Sequence, residues 1–268
     1  MPTLILPPRY TPDTIAMRKA ALAAGWEVER LSSWRVPDEL VGRNVVLYGE
    51  PLFAAAVADA LGVVLLEPAL DWLAALVPDY RQREIWLTTL GDARRLKEPR
   101  FVKPADDKCF QAKVYDSGVQ LPANAVIPDV TPVLVSEPVD WHVEFRCFVL
   151  GRSIVTLSPY WRDGALAEDE SGQWSDPRGD EAREFAAAVV GDLAVELPPA
   201  VVVDVGLIAG RGWAVVEANA AWGSGIYGCD PAEVLTVVRR SCVPRGHVTI
   251  EDRRWIVARG DAVPPLGC

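Results

Sequence analysis

The stretch Val201-Val202-Val203-Asp204-Val205-Gly206-Leu207-Ile208-Ala209-Gly210-Arg211-Gly212-Trp213-Ala214-Val215-Val216-Glu217-Ala218-Asn219 decides the fold. Two runs rich in β-branched residues flank a Gly-rich turn, the signature of a β-hairpin. A two-residue turn at Gly210-Arg211, with Gly first, sets a register in which Asp204 faces Glu217. Residues two apart share a face of a strand, so Asn219 joins Glu217 there. Opposed carboxylates on paired strands repel one another unless something positive lies between them. A hard divalent cation answers that need, because carboxylate and amide oxygens are its preferred ligands. The other reading is an exposed hairpin whose acids face water, and this stretch alone leaves both open.

Trp141–Leu150, Gly151-Arg152 and the run 153–161 form a second, longer hairpin. Alternation puts Trp141, Val143, Phe145 and Cys147 on one face and His142, Glu144 and Arg146 on the other. Glu144 and Arg146 read by themselves as a surface ion pair. His142 reads as a partner for Glu144 or a solvated edge residue, and nothing supports a role for His247. Between the hairpins, 163–180 is a polar, Gly-rich loop flanked by Trp161, Arg162 and Trp174. Helices are expected over 181–190 and over 231–240, the second capped by Asp230 with Pro231 at its first position.

Upstream, the strands Thr3–Leu6, 26–31, 44–48 and 63–66 alternate with helices over 12–24 and 51–61. This alternation implies parallel strands with crossover helices. From 79 to 100 the chain is polar and basic. Short strands then follow at 101–103, 112–115, 123–127 and 133–137, as in an antiparallel lobe. Only five of the 27 basic residues are Lys, and Lys97, Lys103, Lys108 and Lys113 cluster among them. Compact ammonium groups in a chain that otherwise uses Arg suit phosphate contacts, or they form a solvated basic face.

The net charge of −10 argues against sequence-independent binding to nucleic acid, which rests on neutralising phosphates. No apolar run reaches the ~20 residues of a membrane span, and Met1-Pro2-Thr3-Leu4 lacks the basic region of a secretory signal. A soluble, cytoplasmic protein is expected. The five cysteines, Cys109, Cys147, Cys229, Cys242 and Cys268, are odd in number and hold no CxxC pair, so they read as reduced, mostly buried thiols.

Taken together, residues 80–240 resemble the ATP-grasp superfamily. Phe101-Val102-Lys103-Pro104 is similar to the strand whose Lys contacts nucleotide phosphates. Ser136-Glu137-Pro138-Val139 with Glu144-Phe145-Arg146 is similar to the hinge, where Glu137 and backbone groups of Pro138 and Val139 meet the adenine and Glu144 holds the ribose hydroxyls. Asp204, Glu217 and Asn219 resemble the magnesium ligands. The resemblance implies an α+β ATP-grasp fold with an N-terminal α/β (pre-ATP-grasp) lobe over 1–78, a small lid lobe over 79–136, and a lobe with the metal site over 137–268.

Two departures stand out. The Gly- and Ser-rich phosphate lid is replaced by Ala105-Asp106-Asp107-Lys108-Cys109-Phe110-Gln111-Ala112-Lys113, so Lys108 and Lys113 supply the lid charges. An Arg often found two residues before the first metal ligand is replaced by Val202, with Arg146 or Arg83 as substitutes. The Lys cluster and the Glu-Phe-Arg segment look most like the divergent branch of the superfamily named for an Arg and two Lys. Arg81, Arg83 and Lys97 remain open as its first phosphate-facing residue. Of the loop after the metal strand, Trp222, Ser224 and Tyr227 read either as substrate contacts or as parts of a structural turn.

The resemblance implies ATP and Mg2+ as cofactors and ligation of a small-molecule or peptide carboxylate to an amine through an acylphosphate. It implies no nucleic-acid or membrane partner. A kinase-like phosphoryl transferase and a nucleotide-binding regulatory protein are the alternatives.

Overall fold

The computed structural model describes residues 1–106 and 109–256. β1 (Thr3–Leu6) leads into α1 (Pro12–Ala23), which starts where the sequence signals it should. The Thr11 hydroxyl accepts the Thr14 N–H at 3.1 Å, Thr14 Oγ1 accepts the Thr11 N–H at 3.0 Å, and Pro12 takes the first helical position. β2 (Glu27–Arg30) and β3 (Val45–Leu47) flank β1 in a parallel sheet of order β2-β1-β3, as the alternating pattern requires. α2 (Pro51–Ala58), β4 (Val63–Leu65), α3 (Trp72–Ala75) and α4 (Pro78–Arg81) follow. β4 does not extend that sheet.

The next sheet is built from β5 (Ile85–Thr89), β6 (Arg100–Pro104), β7 (Lys113–Tyr115) and β8 (Pro132–Ser136), with the short α5 (Leu90–Ala93) after β5. Its order is β5-β8-β6-β7 and every pairing is antiparallel. β5 is hidden from sequence reading by its basic surroundings. The strand expected over 123–127 is instead a turn, because its backbone bonds are local: the N–H groups of Val126 and Ile127 both go to the Ala123 carbonyl.

β9 (Trp141–Leu150), β10 (Ser153–Arg162), β11 (Ala165–Leu166), β12 (Ala200–Ile208) and β13 (Gly212–Asn219) make the large sheet, order β11-β10-β9-β12-β13, with α6 (Gly179–Gly191) inserted before β12. Val143, Phe145 and Cys147 of β9 and Val201, Val203 and Val205 of β12 face Ala182, Ala186 and Val189 of α6 in one core. Phe148, Ala200 and Val202 turn the other way, into a core shared with α7 (Pro231–Ser241) and the parallel sheet. β14 (Cys242–Pro244) then pairs antiparallel with β4.

Cys147, Cys229 and Cys242 are buried, as expected, and Cys268 lies outside the described residues. No described helix is long and apolar enough to cross a membrane.

Candidate active site

Arg146 of β9, Asp204 of β12 and Glu217 of β13 lie side by side in one row across the large sheet. The facing of Asp204 and Glu217 is the one read from sequence, reached by another route. The turn has three residues, since Ile208 pairs with Gly212, and Val205 accordingly pairs with Val215. A bulge at Val216 then shifts the register back, so that Asp204 meets Glu217. The two displacements cancel.

Asp204 is fully buried, which excludes a hairpin whose acids face water. Arg146 grips it with both arms of its fork, Nε to Oδ1 at 3.0 Å and Nη2 to Oδ2 at 2.6 Å. Its third nitrogen, Nη1, donates to the Gly225 carbonyl at 3.0 Å, and the guanidinium lies 5.3 Å and 5.0 Å from the ring centres of Tyr160 and Tyr227. Burial acts against the Arg146 charge, but the Asp204 carboxylate outweighs it and holds the guanidinium protonated. Arg146 therefore ties down an acid with three of its five N–H donors.

Glu217 receives the Lys103 ammonium, which reaches across from β6 of the small sheet. Asn219 Nδ2 donates to Glu217 Oε1 at 2.9 Å and lies 3.3 Å from Asp204 Oδ2. Burial pushes the Glu217 carboxyl up, but Lys103 and the Asn219 bond hold it at about 2. The positive groups demanded by the facing carboxylates are thus Lys103 and Arg146. Two carboxylates and an amide, which brings its oxygen round when turned over, make a hard, oxygen-only donor set. That set fits magnesium, which takes one or two carboxylates and completes its shell with phosphate and water oxygens.

Glu144 shares Arg146's face, as alternation predicts, and accepts the Tyr160 hydroxyl. Burial lifts its carboxyl to about 7; the charges of Asp204 and Glu217 add to this, and the Tyr160 bond and Arg83 oppose it. Glu137, where β8 crosses to β9, is held at about 2 by Arg211 of the hairpin turn, whose Nη2 lies 2.5 Å from Oε1. Its own N–H donates to the Glu84 carbonyl, and Pro138 and Val139 follow it half-buried.

The remaining basic candidates separate. Arg83 donates to the carbonyls of Val215 and Val216, while Arg81 donates to those of Ala74 and Ile85 and Lys97 is exposed. Lys113 pairs with Val102, so the two share a face of the small sheet, and Lys103, one residue on from Val102, points to the other. Lys113 rests over the Tyr115 ring at 5.0 Å, away from Lys103. Lys108 lies outside the described residues.

In the loop after β13, two of the three candidates take the structural alternative. Trp222 is a core residue, 1% exposed, with its indole N–H on the Leu66 carbonyl, and Ser224 turns its hydroxyl inward to the Ala220 carbonyl. Both side chains are turned into the protein. Tyr227, at φ 48°, stacks on Tyr160 with centroids 5.1 Å apart and meets Trp174 at 5.4 Å. The neighbouring Gly228 makes this closure possible, because a Cβ there would sit 2.3 Å from that of Trp174.

Sequence reasoning missed Tyr160, Arg211 and Asp13. Tyr160 occupies a second bulge, between Pro159 and Trp161, which breaks the alternation that would have placed it. Asp13 looked like an ordinary acid in a first helical turn. Its Oδ2 accepts the Ile226 N–H at 3.2 Å, while Tyr48 donates to the Ser224 carbonyl, so the first lobe braces the loop from two sides.

Residues 80–237 match the model of an ATP-grasp domain, family 2 of the clade named for an Arg and two Lys. Among solved structures, the D-alanine–D-alanine ligase of Bacillus anthracis is 13% identical, with 90% of this chain and 96% of that one covered and a TM-score of 0.50. An ATP-grasp RimK domain protein of Sphaerobacter thermophilus is 15% identical, with coverage of 89% and 98% and a TM-score of 0.48. No curated protein matches the chain in sequence.

Proposed function

The chain belongs to the ATP-grasp domains of the clade named for an Arg and two Lys, and from that premise we propose that it is an ATP-dependent ligase joining a carboxylate to an amine, with release of ADP and phosphate. One observation carries the proposal. An ammonium from the small sheet and two carboxylates with an amide from the large sheet converge on one point, the outfit of a site that holds and neutralises phosphates.

In this reading ATP lies between the two sheets. Lys103 meets the phosphates, Glu137 with the Pro138 and Val139 backbone takes the adenine, and Glu144 takes the ribose hydroxyls. Asp204, Glu217 and Asn219 hold magnesium, which supplies charge neutralisation on the triphosphate. A substrate carboxylate oxygen attacks the γ-phosphorus in line, the bond to the bridging oxygen breaks, and ADP leaves. The amine nitrogen then attacks the acyl carbon of the acylphosphate and loses a proton as phosphate departs. The protein's part is positioning and electrostatics.

The test is mass spectrometry of products after incubation with ATP, Mg2+ and a pooled mixture of amino acids and peptides. An amide product, with ADP release that needs both acid and amine, supports the reading. A phosphorylated product formed without amine would replace it with a kinase, and no ATP turnover or binding would remove it.

A further inference from the structure

We infer that Arg83 is a positioning residue: its guanidinium holds the Val216 bulge and thereby sets Glu217 beside Asp204. The inference rests on the reading that these two carboxylates hold a divalent cation.

Register decides which face of β13 Glu217 occupies. With a three-residue turn and no bulge, β13 would pair Val216 with Asp204 and Glu217 with Val203. Directly opposed residues share a face, and Val203 faces the core beneath α6, so Glu217 would be driven into apolar packing. The metal-site geometry therefore depends on one extra residue in β13.

A bulge takes carbonyls out of the ladder, and half-buried carbonyls need partners. Arg83 provides them: Nη1 lies 2.8 Å from the Val215 oxygen and Nη2 lies 3.0 Å from the Val216 oxygen. A planar fork spans two successive carbonyls, which an ammonium cannot do with the same geometry. Nη1 also donates to the Arg81 carbonyl at 2.9 Å, so both terminal nitrogens are engaged by backbone.

The plane of the fork is fixed in turn. The guanidinium lies 4.9 Å from the centre of the Trp141 ring, and that ring lies against Gly206, where a Cβ would come within 2.7 Å of it. Gly206, Trp141 and Arg83 form one stack, and the absence of a side chain at 206 makes the room for it. The stack stands beside Glu144 and Glu217, whose charges act on Arg83.

The experiment compares wild-type protein with Arg83→Lys, which keeps the charge but not the fork, and Arg83→Met, which keeps neither. Amide hydrogen exchange is followed with neither nucleotide nor metal added. Calorimetry gives ATP affinity in excess chelator, and electron paramagnetic resonance gives Mn2+ affinity at saturating ATP. The expected result is faster exchange confined to β13 in both variants. Mn2+ affinity should fall about tenfold or more, as when groups that orient metal ligands are removed. At about pH 9, where Glu144 is ionised with or without the Arg83 charge, ATP affinity in chelator should stay within about twofold of wild type.

An equal loss of ATP affinity with and without metal would make Arg83 a direct phosphate contact and overturn the inference. Unchanged exchange in β13 would overturn it too. Wild-type protein that takes up neither ATP nor Mn–ATP would instead overturn the nucleotide reading and, with it, the metal-ligand role assigned to Glu217.

Discussion

Lys103 on the small sheet is ion-paired to Glu217 on the large one, so a lysine and an acid 114 positions apart meet between the two lobes. With Arg146 on Asp204, each carboxylate of the facing pair has its own cation. The pair is therefore not a bare negative surface for an incoming triphosphate.

Lys103→Met removes a charge that is in place before nucleotide arrives and that stays with the phosphates through transfer. KM for ATP should rise and kcat fall, each by about tenfold. Steady-state kinetics at saturating Mg2+ checks this, and an unchanged KM would take Lys103 off the phosphates.

Glu144 gives the reaction a pH signature. Its carboxyl is held at about 7 chiefly by burial, with Asp204 and Glu217 adding to the effect and Tyr160 and Arg83 opposing it. Only the ionised form accepts two ribose hydroxyls, so KM for ATP should be flat above pH 7 and rise as pH falls below it. Glu144→Gln should raise KM, leave kcat nearly unchanged and abolish that rise. A collapsed kcat with normal KM would assign Glu144 another role.

Arg146→Met leaves the buried Asp204 carboxylate without its partner. Loss of one member of a buried ion pair costs about 3–5 kcal/mol, so the variant's urea midpoint should drop accordingly. Stability within about 1 kcal/mol of wild type would mean that Asp204 finds another cation.

Lys113→Met should turn over within about twofold of wild type, because the side chain is exposed and points off the face opposite Lys103. A large fall in kcat would require β7 to rearrange during the cycle.

Much of the site was legible because charge leaves a plain mark in strands. Asp204, Glu217 and Asn219 stand out in Val- and Ala-rich runs, and Glu144 and Arg146 alternate with Val143, Phe145 and Cys147, which are fully buried. What was illegible lies where backbone spacing departs from period two. The Val216 bulge and the three-residue turn left the expected facing intact only because their effects are opposite. The bulge at Tyr160 had no such compensation. Trp222 shows a different limit: an aromatic in a Gly-rich loop looks the same in sequence whether it lines a cleft or fills a core. Its burial is decided by a core built from distant segments, and its indole N–H bonds to Leu66, 156 positions away. Likewise, nothing local in Arg83 or Arg211 distinguishes a phosphate contact from a clamp on backbone or on Glu137.

The pairing of β14 with β4 sets an order of events for a chain leaving the ribosome. The parallel sheet is made early, but part of its core comes from α7, and the Leu47 amide bonds to Cys242, 195 positions later. Until that segment emerges, β4 has no strand to pair with and the lobe's apolar floor faces water. The lobe translated first is therefore completed last, and nascent chains stalled before β14 should expose this surface to chaperones and proteases.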